Sequence, residues 1–406
     1  VMFRLRLYSL LVLLLAALPG FAASPPTPTP SALSQPLTVH FFDVGQGDAA
    51  LVISPTGKTV LIDGGPPEAR ERLTARLKEL VKGPLDLVIL THPHLDHLGG
   101  LVSAVRAVGA RRFMDPGFDH PSEAYRDLLT FMGDTVSQVM TPEPSPSSAH
   151  GLLTIGLGEG VALTVFWPRM PKEPFLVGTR SDANSNSIVA RLTYGKTAFL
   201  LVGDAEPDTE AALLQRSLNL TTTVLKVAHH GGKHSSTAAF LAAAKPQAAV
   251  ISVGAKNDYG HPAPETLARL ADVGAHVLRT DQEGEVVAAS DGQSVTLRTH
   301  GGTGALLVLT GNVDPSPVTS APATLTPVRP GRPGAAPPQP RGDNGGASPK
   351  AAPADSGTGP YVGLKGSKVF HRETCSTLKR SKSERTLYPN REAALRERRP
   401  AEDCHP

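Results

Sequence analysis

The chain has 406 residues, 40% of them hydrophobic, with 40 Lys/Arg against 37 Asp/Glu, enough for a full core and a further unit at about 100 to 200 residues per domain. Its two cysteines, Cys375 and Cys404, both lie near the C-terminus, so the main domain cannot be a disulfide-stapled scaffold. The basic surplus is local: residues 361–406 hold 11 Lys/Arg against 6 Asp/Glu and the rest 29 against 31, so only the tail is expected to present a basic face.

In chain order, Val1-Met2-Phe3-Arg4-Leu5-Arg6 precedes an apolar run from Leu7 to Leu18 and then Gly20-Phe21-Ala22-Ala23-Ser24. A charged start, a short apolar stretch and small residues are the parts of a secretory signal peptide, expected over 1–23, with export to the periplasm or the exterior. Left uncleaved, the run would tether the chain to a membrane, although it is shorter than the roughly 20 apolar residues that span one. The Pro/Ser/Thr-rich residues 24–36 read as an extended tether.

Three strand-like runs follow, Leu37–Val44, Ala49–Ser54 and Lys58–Ile62, broken by the turn chemistry of Gly45-Gln46-Gly47-Asp48 and Pro55-Thr56-Gly57. The spacing of Leu73, Leu77, Leu80 and Val81 predicts a helix over Pro67–Lys82. A buried strand Leu85–Leu90, a helix Leu98–Val108, a strand Arg111–Met114 and a helix Ser122–Met132 continue an alternating β/α order. Leu152–Trp167 is strand-rich, and Ser187–Thr193 and Thr197–Val202 read as a hairpin. Helices over Pro207–Arg216, Ser236–Ala244 and Ala263–Val273 alternate with strands Val224–Val227 and Ala248–Val253. Strands Val277–Arg279, Glu285–Ala289 and Ser294–Thr299 close the unit. The fold class expected is α/β, two facing sheets with helices outside, an αββα sandwich over 37–310. Residues 311–360 are rich in proline, glycine and alanine and read as a disordered linker. Residues 361–406 recover aromatics, charge and both cysteines.

The chemistry concentrates in Thr91-His92-Pro93-His94-Leu95-Asp96-His97-Leu98-Gly99-Gly100, which follows the Leu85–Leu90 strand. Three imidazoles and a carboxylate within six positions are donors suited to Zn²⁺, and the strand end aims them together. The H-x-H-x-D-H spacing resembles that of the metallo-β-lactamase-fold hydrolases. The resemblance implies metal ligation by His92, His94, Asp96 and His97, a bridging carboxylate at Asp204, and a final histidine at His261. It implies one or two divalent ions, zinc first and manganese second, and an orienting role for Asp63. The family's histidine before the Gly-Asp hairpin has no counterpart in Arg180–Ser187. There Asp182 or Asn184 could lend a weaker oxygen, or His92, His94 and Asp204 could hold the metal alone. His120 and His150 read as loop histidines, and Lys233 and His234 as a solvated loop.

Several stretches in order resemble the hydrolase domain attached to the DNA-uptake channel ComEC: His40–Ala49, Gly203-Asp204-Ala205-Glu206, Leu225–Gly232 and Asn257–Pro262. The long membrane helices of such a channel have no counterpart, so no transport path through this chain is expected. His229 and His230 both stand as candidates for a metal ligand or for a donor to a phosphoryl or leaving oxygen, unranked by sequence. Asp43 and Asp48 read as holding the opening turn, with a supporting role at the site as the alternative. The ligand set implies a metal-activated water attacking phosphorus or a carbonyl carbon, with Asp96 orienting it. The expected activity is hydrolysis of phosphodiesters, with nucleic acid as substrate or ligand. Its rivals are hydrolysis of lactones, lactams or thioesters on the same fold, and a DNA-binding or scaffold protein with a structural metal site.

Phe370–Cys375 and Arg399–Pro406 resemble the small zinc-binding domain of the Ada DNA-repair protein. His371, Cys375 and Cys404 match its ligand positions, while Ala401 replaces one cysteine. The tail thus stands between a separate zinc site and a Cys375–Cys404 disulfide.

Overall fold

The computed structural model describes residues 35–319, except 145, 147, 170–172, 302, 303 and 305, and in the C-terminal stretch 358–364, 369–372, 378, 384–390 and 399–400. Strand residues alternate between two apolar environments, and this alternation builds the layers. The strands of the first sheet are β1 (Leu37–Phe41), β2 (Ala50–Ile53), β3 (Thr59–Ile62), β4 (Leu87–Ile89), β5 (Arg112–Met114) and β6 (Gln138–Met140). Those of the second are β7 (Leu153–Gly156), β8 (Ala162–Trp167), β9 (Val189–Tyr194), β10 (Thr197–Leu201), β11 (Val224–Lys226), β12 (Ala248–Ile251) and β13 (His276–Arg279). The chain then returns to the first sheet through β14 (Val286–Ser290), β15 (Ser294–Thr299) and β16 (Leu306–Thr310). The sheet orders are β16-β15-β14-β1-β2-β3-β4-β5-β6 and β13-β12-β11-β10-β9-β8-β7.

Val39, Phe41, Val52, Val60 and Ile62 of the first sheet share one core with Leu163, Val165, Leu192, Phe199 and Leu201 of the second. The intervening Leu51 and Leu61 point the other way, into a cluster with Leu73 and Leu77 of the helix Arg70–Leu80 and with Leu101 and Val105 of the helix Leu101–Val108. On the second sheet Leu200 and Leu225 likewise meet Phe240, Leu241 and Leu270 of its outer helices. Three apolar layers with period-two strands between them form the αββα sandwich expected. Each fully buried Leu, Val or Phe contributes about 1.5–3 kcal/mol.

β3, β4 and β5 run parallel, as do β10, β11, β12 and β13. Their carboxyl ends therefore deliver Asp63 and His92 from one sheet, and Asp204 and His230 from the other. In open α/β sheets such ends are where ligands bind.

The structure departs from expectation in several places. The helix expected over Leu98–Val108 is split: a single turn, Leu95–Leu98, carries Asp96 and His97, and the longer helix starts at Leu101. β6 and β16 lie outside the expected strands: both are edge strands, β6 is only three residues long, and they leave Val139, Leu306 and Val308 exposed. The domain also runs past residue 310, into what reads as linker. The Arg191 guanidinium, fully buried, donates to the carbonyls of Thr221 (3.0 Å), Ser316 (3.0 Å) and Asp314 (2.8 Å). Asn219 donates to the last two as well, and Val318 bridges to Leu218. Hydrogen bonds, with Val313 buried and Val318 packed on the outer core, hold 311–319, and two isolated valines make no hydrophobic pattern.

The residues expected to form the signal peptide, most of the tether and most of the linker lie outside the described residues. Among the described residues no helix is long and apolar enough to cross a membrane. The C-terminal unit contains a four-stranded sheet, with Thr358–Leu364 between Arg385–Asn390 and Val369–Arg372, and Arg399–Pro400 beside the last. Tyr361, Phe370 and Tyr388 pack together in it. His371 pairs through its backbone with Val362. Cys375 and Cys404 lie outside the described residues.

Candidate metal centre

One wall of the site grows from β3 and β4. Asp63, just past β3, adopts a left-handed backbone (φ 59°). Its Oδ1 accepts from the Thr91 backbone N–H (2.7 Å) and its Oδ2 from the Thr91 hydroxyl (2.7 Å). That same Oδ2 lies 2.8 Å from His97 Nδ1, which fixes the ring so that Nε2 points inward. His92 is fully buried, with Nδ1 3.1 Å from the Thr91 hydroxyl and Nε2 3.1 Å from His94 Nδ1. Gly47 is required beneath this loop: a Cβ there would stand 2.3 Å from the Asp96 carbonyl, and its φ is +150°.

The facing wall grows from β10 and β11. Gly203 (φ +51°) turns the chain against Thr91, and Asp204 follows, its N–H donating to Ser187 Oγ at 3.2 Å. The Asp204 carboxylate lies at the centre: Oδ1 is 3.4 Å from His97 Nε2, and Oδ2 is 3.5 Å from His230 Nε2 and 3.8 Å from both His92 Nε2 and His229 Nε2. After β11, His229 and His230 both take left-handed conformations, φ 50° and 52°. Two such residues in a row cost about 1–3 kcal/mol each and persist only where the surroundings impose them. The surroundings here are specific. His230 Nδ1 faces the Ser252 carbonyl (3.0 Å) and Asp48 Oδ1 (3.3 Å), and its Nε2 faces Asp96 Oδ2 (3.2 Å). His229 Nδ1 faces Glu206 Oε1 at 3.0 Å.

Asp96, His97, Asp204 and His230 each offer a ligand atom within 4.8 Å of the others. The Metallo-beta-lactamase superfamily profile matches residues 42–171, which include this first wall. The chain is 29% identical over 274 residues to ComE operon protein 3 of Bacillus subtilis (strain 168), covering 63% of this chain and 33% of that protein. It is 30% identical over 261 residues to Recombination protein 2 of Haemophilus influenzae, covering 63% and 29%. With Competence protein ComA of Neisseria gonorrhoeae it shares 29% identity over 274 residues, covering 67% and 34%. The folded core is a metallo-β-lactamase domain. The chain spans about a third of the length of these relatives.

The metallo-β-lactamase domain's donors fit a divalent cation on their own geometry. His97 Nε2 and Asp204 Oδ1 are both buried without a hydrogen-bond partner and both border the same space. Orphaned polar atoms of this kind are expensive unless an ion or water satisfies them. Electrostatics agree. Burial works against charging His97 and His230, but Asp204 with Asp63 and Asp96 outweighs it for the first, and Asp204 with Asp48 for the second, so both are raised, His230 to about 10. Burial would raise Asp204, but His230, His97 and His229 hold its carboxyl well below the usual range. The carboxylates thus gather positive charge, which a divalent ion would supply in place of protons. His92 is pushed well below the usual imidazole value by burial and by His97, and stays a neutral donor.

Several expected residues land elsewhere. His261, like His92 and His94, lies outside the four-residue cluster: its ring is 6.4 Å from that of His230 and 5.5 Å from that of His229. His230, one of the two candidates after β11, is in that cluster, brought in by the left-handed turn there. Asp182 is committed to its own loop, accepting from Thr179 N–H (2.8 Å), Thr179 Oγ1 (2.7 Å) and Gly178 N–H (3.1 Å). Asn184 faces the site instead, with Nδ2 3.5 Å from His229 Nε2 and Oδ1 buried and unpartnered. Asp43 accepts from Gly45 N–H at 3.1 Å and holds the turn, away from the ligands. Asp48 backs the site from behind, bridging His230 to the buried Lys226 ammonium (2.7 Å). His120 comes nearer than a loop histidine need, its ring 5.8 Å from His94.

Glu206 was not singled out from sequence. A carboxylate before Pro207 reads as a helix cap, yet its side chain makes no cap bond and is buried against His229. Its place two residues after the Gly-Asp carboxylate was the available signal.

Proposed function

We propose that this is an exported, metal-dependent phosphodiesterase acting on nucleic acid, with zinc as the first-choice ion. The observation that carries the reading is the His229–Glu206 pair beside the ligand cluster. Expelling a sugar alkoxide from phosphorus needs a proton delivered to a poor leaving group, and a histidine anchored at Nδ1 by a buried carboxylate is built to deliver one. The names of the relatives, for competence and recombination, support DNA as the substrate class.

His92, His94, Asp96, His97, Asp204 and His230 would hold a divalent ion, which would supply an acidified water and neutralise phosphoryl charge. The protein's own groups do the rest. Asp63 and Asp48 fix the tautomers of His97 and His230. Asp96, part-exposed at the mouth, accepts the proton of the attacking water. As the new P–O bond forms and the bond to the leaving oxygen breaks, His229 Nε2 passes its proton to that oxygen, and Glu206 stabilises the ring while it is charged.

The full chain loaded with Zn²⁺ or Mn²⁺ is expected to cleave single-stranded DNA and a bis-aryl phosphodiester, with chelation abolishing both. Turnover of lactones or thioesters without phosphodiester cleavage would replace this reading with the other hydrolase chemistry. Tight DNA binding with no hydrolysis would make the domain a binding module.

A further inference from the structure

The loop that carries His261 has a second face. Asn257 pins it: its Nδ2 donates to the carbonyls of Gly254 (2.8 Å) and His261 (2.7 Å), and its Oδ1 accepts from the N–H groups of Tyr259 (3.2 Å) and His261 (2.9 Å). One amide thereby fixes both ends of a tight loop and sets the direction of the residue between them. Tyr259 is held out at 72% exposure, the most exposed Phe, Tyr or Trp ring among the described residues of this domain. It stacks on His261, centroids 5.7 Å apart and planes 27° apart. His261 in turn meets the His229 ring edge-on at 5.5 Å. From solvent to Asp204 the site is thus bordered by a run of rings: Tyr259, His261, His229.

Neither the ligand cluster nor the proton donor needs Tyr259. A large ring fixed in solvent by a dedicated hydrogen-bonding side chain, one face on a histidine and the other open, is a stacking platform. The geometry points to Tyr259 and His261 as a nucleobase-binding subsite that holds the base next to the scissile phosphate. Stacking on an aromatic face is tolerant of sequence because every base has a π-face, so the subsite would favour nucleic acid over other phosphodiesters without reading a sequence. It also requires an unpaired base, which directs the site to single strands or frayed ends. This inference rests on the phosphodiesterase reading for its position beside a phosphate, and on the loop geometry for the stack itself.

The test separates the two. With metal-loaded full chain, kcat/KM is compared for two single-stranded oligonucleotides that differ only in a base or an abasic residue beside the cleaved bond. Wild-type protein is expected to prefer the base-bearing substrate by roughly 5- to 150-fold, the range for one stacked base. Tyr259→Ala should remove most of that preference through KM, and Tyr259→Trp should restore it. Equal discrimination by wild type and Tyr259→Ala, or none by wild type, overturns the subsite while leaving the phosphodiesterase standing. In parallel, binding of a 2-aminopurine dinucleotide is followed by fluorescence, which stacking quenches. Tyr259-dependent quenching in a protein that cleaves no phosphodiester would keep the subsite and overturn the reaction. Quenching that survives Tyr259→Ala would overturn the subsite by itself.

Discussion

The two walls of the centre are built differently. The wall from β4 is local: His92, His94, Asp96 and His97 lie within six positions, and Asp63 locks them through Thr91 and His97. The wall from β10 and β11 is assembled from distant pieces, His230 meeting Asp96 across 134 residues, and its two histidines sit on left-handed backbone. The local wall supplies most of the donors. The assembled wall places the central Asp204 carboxylate and the Glu206-anchored His229, so geometry there is imposed by the fold rather than by spacing.

Removing a donor from either wall should erase this difference. Asp96→Ala and Asp204→Ala are each expected to lower kcat by several orders of magnitude with circular dichroism unchanged. If either retained near-native rate, the cluster would not be the reaction centre. His229→Ala should cost roughly 10²- to 10⁴-fold while metal content, read by elemental analysis, stays near that of the parent. Loss of the metal in that variant would move His229 into the ligand set and collapse the distinction between the walls.

How far the sequence disclosed each wall follows from the same contrast. A dense motif after an apolar strand can be read directly, because neighbours in sequence are neighbours in space there. Alternating apolar strands likewise disclosed the sandwich. Sequence shows that His230 and His261 both follow strands, but not that the backbone turns His230 into the four-residue cluster and leaves His261 outside it. Asp182 was weighed beside Asn184 with nothing to show that its oxygens were already used by Thr179 and Gly178. Within Gly203-Asp204-Ala205-Glu206 the sequence does not disclose a role for Glu206, because its partner His229 lies 23 residues away and their pairing is a product of packing.

The orienting carboxylates offer a finer contrast. Asp63→Asn puts an amide donor against Thr91 and His97 and should weaken metal affinity roughly 10- to 100-fold. Glu206→Gln should leave affinity nearly intact and lower kcat by roughly 10- to 100-fold instead. Isothermal titration and steady-state rates on the pair decide it, and equal effects on affinity would show that both walls serve ligation alone.

The smallest expected effect is remote from both walls. Glu285 binds Arg76 (2.8 Å) and His40 (2.7 Å). Burial would raise its carboxyl, but bonds to His40 and Arg76 outweigh this and lower it. A lowered carboxyl contributes stability above its unfolded value, near 4.5, and loses it as pH falls through the folded value. Glu285→Gln should therefore be less stable than the parent by about 1 kcal/mol at neutral pH, after allowance for partial exposure. The gap should narrow as pH falls below 4.5 and close once it passes the lowered folded value, as urea melts across pH would show. Its turnover should match the parent's.

The Arg191 anchor has a consequence for anyone who shortens this protein. A chain ended at Thr310, where the strands stop, keeps the guanidinium buried but strips away two of its three carbonyl acceptors, those of Asp314 and Ser316. An unpaired buried cation is a heavier burden than a missing one. In the full-length protein Arg191→Met should unsettle the fold, whereas in the shortened one the same substitution should help it, so that one side chain changes sign from support to hindrance with nine residues of tail.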